Sequence, residues 1–90
     1  MAEIIYTDSY LKRVKKFFKK HPDLISQYEK TLKLLEVNPN HPSLRLHKLH
    51  GKHSEIYSVS INITYRISID FIVEKDQVIP IDIGTHDDVY

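Results

Sequence analysis

Residues 57–73 have the sequence YSVSINITYRISIDFIV, with an apolar or aromatic residue at every odd-numbered position. Ser, Asn, Thr, Arg and Asp occupy the positions between them, apart from Ile72. Because successive side chains of a strand point to opposite faces, this alternation predicts β-structure with one face on a core and one facing water. A run of seventeen residues is too long for one ordinary strand, so we expect a turn near Asn62.

The alternation continues after this stretch. EKDQ at 74–77 predicts a second turn, and Ile79, Ile81 and Ile83 then resume the period of two. Pro80 has no backbone N–H, so it predicts an edge strand or a position where the amide would point outward. Residues 57 to about 83 therefore predict an antiparallel meander.

Upstream of the meander, the period changes to that of a helix. EIIYT at 3–7 predicts a short strand, and Thr7 or Asp8 can cap a helix that follows. The apolar face predicted for this helix consists of Leu11, Val14, Phe17 and Phe18. A second helix is expected from Pro22, which suits the first helical position, until the two prolines of NPNHP at 38–42 end it. Its predicted apolar face consists of Leu24, Tyr28, Leu32 and Leu35.

This order of elements predicts an α+β fold, with a short strand and two helices packed on a twisted antiparallel sheet. The helices should cover the odd-numbered face, which leaves Arg66 on the open face. A chain of 90 residues can build one hydrophobic core, so we expect a single domain over residues 1–90. The absence of cysteine, of a signal-like N-terminus and of a long apolar run predicts a cytoplasmic protein without a membrane partner.

The net charge of +1 conceals a segregation of charge along the chain. Residues 1–53 contain 11 Lys/Arg and 5 Asp/Glu, whereas residues 54–90 contain 2 Lys/Arg and 7 Asp/Glu. A basic half favours an anionic partner, although solvated lysine-rich helix faces explain the same counts.

The sequence HKLHGKH at 47–53 contains half of the 6 histidines in the chain. His47, His50 and His53 could ligate zinc or nickel, but their spacing and Gly51 make a preformed tetrahedral site difficult to build. Cations at this segment could instead contact a phosphate backbone, and a solvated polar loop is the third alternative. The cations and histidines considered for RNA contact are Arg45, His47, Lys48, His50, Lys52 and His53.

The chain ends in IDIGTHDDVY, where an apolar strand leads directly into Gly84, His86 and Tyr90. A glycine would let the backbone turn and bring His86 and Tyr90 near the sheet. A C-terminal tail in which Tyr90 packs by chance is the alternative.

The order of elements, the H-x-L-x-G pattern from His47 to Gly51, the arginine of YRISI and the closing GTHDDVY resemble the RelE/ParE superfamily of bacterial toxins, in particular its YafQ-type branch. The resemblance covers nearly the whole chain. It implies a microbial-RNase-like fold and a metal-independent endoribonuclease that cuts mRNA in the ribosomal A site without a cofactor. It also implies a cognate antitoxin as partner, whereas a small-molecule ligand is not expected.

The resemblance implies a role for each matching residue. His86 corresponds to the C-terminal catalytic histidine, a general acid or base, and Arg66 to the arginine that clamps the phosphate. His47 is implied as a second proton-transfer or positioning group, and Tyr90 as the aromatic that stacks on a base. Arg45, Lys48, His50 and Lys52 would contact the RNA backbone, although these four match no strict motif.

The sequence also departs from the family pattern at two positions. Relatives usually have Arg or His where this chain has Ser60, beside Val59, and YafQ-like members have Asp near Thr64. These departures support one alternative, a catalytically decayed toxin that still binds its antitoxin. A separate alternative is a non-enzymatic, ParE-like inhibitor of DNA gyrase, against which GTHDDVY argues.

Overall fold

The structure is a computed structural model that describes residues 2–49, 56–72 and 75–85. Its helices are α1 (Asp8–Lys20) and α2 (Ile25–Val37), with short 3-10 turns at Pro22–Leu24 and Pro42–Leu44. Its strands are β1 (Glu3–Ile4), β2 (His47–Lys48), β3 (Ile56–Ser60), β4 (Tyr65–Ile72) and β5 (Gln77–Thr85). They form one sheet in the order β1-β5-β4-β3-β2. The predicted α+β architecture is confirmed.

Helix α1 begins where the sequence predicts. The Thr7 side chain accepts a hydrogen bond from the Tyr10 amide at 3.2 Å and so satisfies one of the free N–H groups of the first turn. The predicted apolar face is partly wrong, because Leu11 is 48% exposed and Tyr10 is fully buried in its place. Tyr10 reaches the core because its hydroxyl has a partner there, the hydroxyl of Tyr28 at 2.7 Å.

The residues that the period of α2 predicts face the core, and Tyr28 among them contacts α1 at Tyr10 and Phe18. Leu24, Tyr28 and Leu35 are buried, and Leu32 packs against the core. Pro22 begins a 3-10 turn rather than the α-helix itself, and the α-helix follows at Ile25. The helix ends at Val37, immediately before NPNHP, as expected.

Residues 61–64 form the predicted turn between β3 and β4. The Asn62 side-chain oxygen accepts hydrogen bonds from the amides of Thr64 at 2.9 Å and Tyr65 at 2.8 Å, which closes the turn locally. Ile63 continues the odd-numbered apolar pattern, but it lies in this turn and is 92% exposed.

The alternation predicted for β5 is wrong at Ile79 and Ile81. A β-bulge shifts the register, so that Ser68 pairs with Asp82 while Ile69 pairs with Pro80. The core side chains of β5 are therefore Val78 and Pro80 before the bulge and Ile83 after it. Ile81 is the additional residue, and its side chain is 37% exposed.

β5 is an inner strand, because β1 pairs with it in parallel at Gln77 and Val78. The sheet is therefore mixed, whereas the sequence predicted an antiparallel one. The Val78 carbonyl accepts from the Ile5 amide at 2.8 Å, so the Pro80 nitrogen two residues later faces the same edge, just beyond the end of β1. This corresponds to the second of the two predicted environments for Pro80, a position where the missing N–H would point outward.

The helices cover the odd-numbered face of β3 and β4, where Val59, Ile67 and Ile69 are fully buried. Arg66 lies on the other face, as predicted, because Tyr65 before it contacts α1. That face is less open than expected. Ser58 and Ser68 are buried and Arg66 is half-buried, because the long arginine side chain extends over small neighbours. Among the described residues, no helix combines the length and apolar character that crossing a membrane requires.

Candidate functional site

Arg66 is the central cation of the sheet face that the helices leave uncovered. It pairs with Ser60 on β3 and with Gly84 on β5. Its Nη1 donates a hydrogen bond to Ser58 Oγ at 3.3 Å, which directs the side chain diagonally across β3. A guanidinium has five N–H donors, so this contact leaves donors for the two oxygens of a phosphate.

His47 lies on the same face as Arg66. It pairs with Ser58 between β2 and β3, and Ser58 pairs in turn with Ser68 on β4. Paired residues of antiparallel strands share a face, so Ser58 stands between the histidine and the arginine. His47 is exposed and belongs to the edge strand. The structure thus places two of the residues that the sequence proposes for catalysis on one face of the sheet.

Gly84, which is buried, is the neighbour of Arg66 on the β5 side. A glycine within a strand often marks a place where a ligand or another backbone approaches closely. Because Gly84 has no Cβ, the arginine is flanked there by backbone rather than by a side chain. β5 ends at Thr85, one residue before His86 in the chain.

Arg45 and Lys48, which the sequence assigns to RNA contact, are both exposed at the β2 edge of the sheet, but Lys48 pairs with Tyr57 and therefore points to the face opposite His47 and Arg66. Arg45 has φ 48° and ψ 49°, in the left-handed region that is unfavourable for residues with a Cβ. It stands between the 3-10 turn at Pro42–Leu44 and β2, so its conformation sets the direction in which His47 and Lys48 enter the sheet. The remaining proposed residues, His50, Lys52, His86 and Tyr90, as well as His53, lie outside the described part of the chain.

Ser60, where the resemblance would place a cation, lies opposite Arg66 and is 8% exposed. Its hydroxyl donates to the Asn62 carbonyl at 2.6 Å, so this side chain supports the turn rather than facing a ligand. Thr64, where YafQ-like members have Asp, lies exposed in the same turn.

A second basic surface, which sequence reasoning missed, lies on the helix side of the sheet. A cleft of about 490 Å³ opens between the C-terminal part of α1 and the adjacent ends of β4 and β5. Arg13, Lys16, Lys20, His21 and Tyr65 contribute to its walls. The lysine-rich helix was visible in the sequence, but His21 and Tyr65 are 44 positions apart and only the fold places them together.

Metal ligands do not assemble in the described regions. Within residues 2–49, 56–72 and 75–85, no group of three or more His, Cys, Asp or Glu side chains is placed to bind a metal ion.

No protein-family model and no curated protein sequence matches this chain. Solved structures do match it over nearly its full length. A metal-bound toxin from Helicobacter pylori has a TM-score of 0.79 and 18% identity, with 100% of both chains covered. The E. coli DinJ-YafQ toxin-antitoxin complex has a TM-score of 0.78 and 21% sequence identity, with 99% of this chain and 97% of that chain covered.

A YoeB/ParE toxin from Agrobacterium tumefaciens has a TM-score of 0.73 at 12% identity, covering 93% of this chain and 98% of that one. Sequence identities this low establish likeness of fold, and the fold agrees over the whole length of the chain. The fold of this chain is therefore that of the YafQ and YoeB/ParE toxins, as the resemblance to the RelE/ParE superfamily predicts.

Proposed function

We propose that this protein is the toxin of a type II toxin-antitoxin system and that it cuts mRNA on the ribosome. The observation that supports this most directly is the position of Arg66, on the sheet face that the helices leave free. Its guanidinium is oriented by Ser58, and His47 lies on the same face. An arginine and a histidine on one face of such a surface suit phosphodiester chemistry.

Cleavage of RNA without a metal uses the ribose 2′-OH as the nucleophile. A base takes the proton of the 2′-OH, cations stabilise the extra charge on the phosphorane, and an acid protonates the leaving 5′-oxygen. In our proposal the Arg66 guanidinium stabilises the phosphorane, because a fixed cation facing developing charge lowers the barrier. His86 and His47 exchange protons with the substrate, and Tyr90 stacks on a base. The roles of His86 and Tyr90 rest on the sequence alone.

The edge of the sheet next to this face is basic. Arg45 is exposed there, and Lys48 is exposed on the same edge strand as His47 but points to the opposite face. Long cationic side chains at an edge attract a phosphate backbone and position it without reading its bases. We assign Arg45 and Lys48 to this role, and His50 and Lys52 to the same role from the sequence.

A toxin of this kind requires an antitoxin. YafQ, whose fold this chain shares, has been solved in the toxin-antitoxin complex DinJ-YafQ. We propose a cognate antitoxin for this chain that covers the Arg66 face or displaces the C-terminal segment from catalytic alignment. The first mode would separate Arg66 from the RNA, and the second would remove His86 and Tyr90 from the scissile phosphate.

A decayed toxin is the second candidate, and Ser60 is the observation that favours it. The residue opposite Arg66 provides no charge, and its hydroxyl is engaged with the Asn62 carbonyl. If catalysis has decayed here, Ser60→Arg should raise cleavage above the wild-type level. An unchanged or lower rate in a folded Ser60→Arg variant would remove the support for decay.

The experiment that tests the proposal is mRNA cut-site mapping in a reconstituted translation system. Wild type should cut at A-site codons, and His86→Ala should abolish the cuts, while Lys33→Ala on the exposed face of α2 should leave them unchanged. Absence of cuts by folded wild-type protein would contradict the RNase proposal. A supercoiling assay with purified gyrase then decides whether the ParE-like alternative applies.

A further inference from the structure

The cleft beside the end of α1 is separate from the Arg66 face. Tyr65 contributes to the cleft and contacts Phe17 of α1, with ring centroids 5.3 Å apart. Arg66 follows Tyr65 in the strand and therefore points to the opposite side of the sheet. Both surfaces nevertheless meet at one end of the sheet, because Tyr65 is the first residue of β4 and pairs with Thr85, the last residue of β5.

One wall of the cleft is aromatic. The ring centroids of Phe17 and His21 are 4.6 Å apart, and those of His21 and Tyr65 are 4.9 Å apart. The Tyr65 hydroxyl and His21 Nδ1 are 3.5 Å apart, at the limit of a hydrogen bond. All three side chains are only half-buried, so parts of their rings remain accessible. Partly exposed rings at the rim of a cleft provide a surface on which a nucleobase can stack.

The other wall is cationic. Arg13 pairs with Asp82 at 3.1 Å, which neutralises the acidic residue of the cleft. Within the described ranges, no carboxylate lies within 4.0 Å of Lys16 or Lys20. These two lysines are four residues apart on α1 and project from the same side of the helix, about 6 Å apart along its axis. The cleft therefore presents two ammonium groups beside an aromatic surface.

We propose that this cleft binds a segment of single-stranded RNA, with a base on the His21–Tyr65 rings and the flanking phosphates at Lys16 and Lys20. The combination of accessible rings and unneutralised cations favours a nucleotide strand over an acidic peptide, for which stacking surfaces have no particular use. The inference rests on the proposed function and extends it. RNA engaged at Arg66 would continue around the Tyr65–Thr85 end of the sheet, or ribosomal RNA would occupy the cleft while mRNA occupies the Arg66 face.

A binding titration with matched variants tests the site. The probe is a fluorescein-labelled twelve-nucleotide oligouridylate, and the readout is fluorescence anisotropy at several salt concentrations. The Lys16→Ala, Lys20→Ala double variant should weaken binding and reduce the slope of log K against log salt by about 0.7 for each phosphate that the protein no longer neutralises. The control is Lys15→Ala, Lys19→Ala, which removes the same charge at the same spacing from exposed positions outside the cleft. Equal effects of the two double variants would overturn the proposal.

Nuclear magnetic resonance distinguishes the cleft from the Arg66 face. In Arg66→Ala protein, oligouridylate should still shift the ring signals of Tyr65 and His21. Tyr65→Leu should weaken binding roughly tenfold, because the stacking surface is removed, whereas Tyr65→Phe should retain binding. Unmoved ring signals in the presence of saturating oligouridylate would contradict the site. An oligoglutamate peptide that shifts the same signals as strongly would also overturn the assignment to RNA.

The two proposals can fail independently. RNA binding to the cleft is measured with naked RNA and in a variant that lacks Arg66. A failure of the protein to cut mRNA therefore does not affect this test. Conversely, a folded Lys16→Ala, Lys20→Ala variant that binds oligouridylate normally refutes RNA binding at the cleft and leaves the RNase proposal intact.

Co-sedimentation with small ribosomal subunits identifies the source of the RNA. Weaker binding of the double variant to subunits without mRNA assigns the cleft to ribosomal RNA, and a defect confined to mRNA-loaded subunits assigns it to the message.

Discussion

Arg66 Nη1 donates a hydrogen bond to Ser58 Oγ at 3.3 Å, and Ser58 pairs across β2 and β3 with His47. A small buried hydroxyl thus links the orientation of the central cation to the strand that carries the histidine. The arginine is half-buried and its bonding partner is fully buried. The direction of the guanidinium is therefore set by the sheet before any substrate arrives, which is the condition for electrostatic catalysis.

Removal of the Ser58 hydroxyl should affect cleavage more than stability. Ser58→Ala takes one oriented bond from Arg66, so we expect a moderate fall in single-turnover cleavage, smaller than the roughly 10²–10³-fold fall expected for Arg66→Ala. Arg66→Lys retains the charge but loses the planar pair of N–H donors that can bind two phosphate oxygens. This variant should therefore keep only part of the wild-type cleavage rate. The measurement is single-turnover cleavage on programmed ribosomes. Full activity of Arg66→Ala would contradict the proposal that Arg66 stabilises the phosphorane.

The Tyr10–Tyr28 hydroxyl pair, 2.7 Å apart, should stabilise the contact between α1 and the core. Tyr10→Phe leaves the hydroxyl of Tyr28 in a buried site without its partner, which should cost about 1–3 kcal/mol of unfolding free energy. The Tyr10→Phe, Tyr28→Phe double variant should lose less unfolding free energy than the sum of the losses in the two single variants. Urea unfolding of the four proteins measures the coupling, and strict additivity would argue against the hydrogen bond.

The same pair predicts how stability depends on alkaline pH. Burial raises the pKa of both tyrosines above the ordinary value of 10.0, and for Tyr10 the neighbouring Tyr28 raises it further. Above pH 10 the unfolded chain releases protons that the folded protein retains, so the free energy of unfolding should fall as pH rises beyond that value. Below pH 10 this contribution is complete. Urea midpoints from pH 8 to 11 should decline less steeply for the double phenylalanine variant, and parallel curves would contradict the assignment.

Asn62 should be essential to the turn between β3 and β4. Its side-chain oxygen accepts from two amides, so Asn62→Ala should destabilise the protein by about 1–2 kcal/mol, while Asn62→Asp should be tolerated. Ile63→Ser is the matched control within the same turn. Because that side chain is 92% exposed, its replacement should change the urea midpoint very little. A larger effect at Ile63 than at Asn62 would refute this account of the turn.

Arg45 allows the effect of charge to be separated from that of backbone conformation. Asparagine and glycine tolerate the left-handed region, so Arg45→Asn and Arg45→Gly should fold at least as stably as wild type while lacking the cation. Arg45→Val should be destabilising, because a β-branched residue is strained at φ 48°. Weaker binding of oligouridylate by Arg45→Asn, with unchanged thermal stability, would support the RNA contact. Unchanged binding would remove Arg45 from the proposed interface.

Much of the fold follows from local patterns. Alternation over 57–73 predicts β3, β4 and the turn at Asn62, and helical spacing together with capping residues predicts both helices. The errors have physical causes that the period does not reveal. The bulge at Ile81 exchanges the faces of β5, and Tyr10 replaces Leu11 in the core because of its hydroxyl partner on α2.

The candidate site was predictable only in part. The alternation of apolar and polar residues in one strand predicts the face on which Arg66 lies. The structure places His47 on that face as well. Ser58 could not be recognised as the partner of Arg66, because strand register is needed to bring the two together. The cleft formed by α1 and Tyr65 depends on a contact between residues distant in sequence, which no local pattern encodes.

The most direct test of the central claim is single-turnover mRNA cleavage on programmed ribosomes by the Arg66→Ala, His86→Ala double variant. Circular dichroism and urea unfolding should first establish that the variant is folded. We predict that the variant no longer cleaves at A-site codons while wild type does. Cleavage that persists undiminished would contradict it, because neither the phosphate clamp nor the proposed proton-transfer group would then be required.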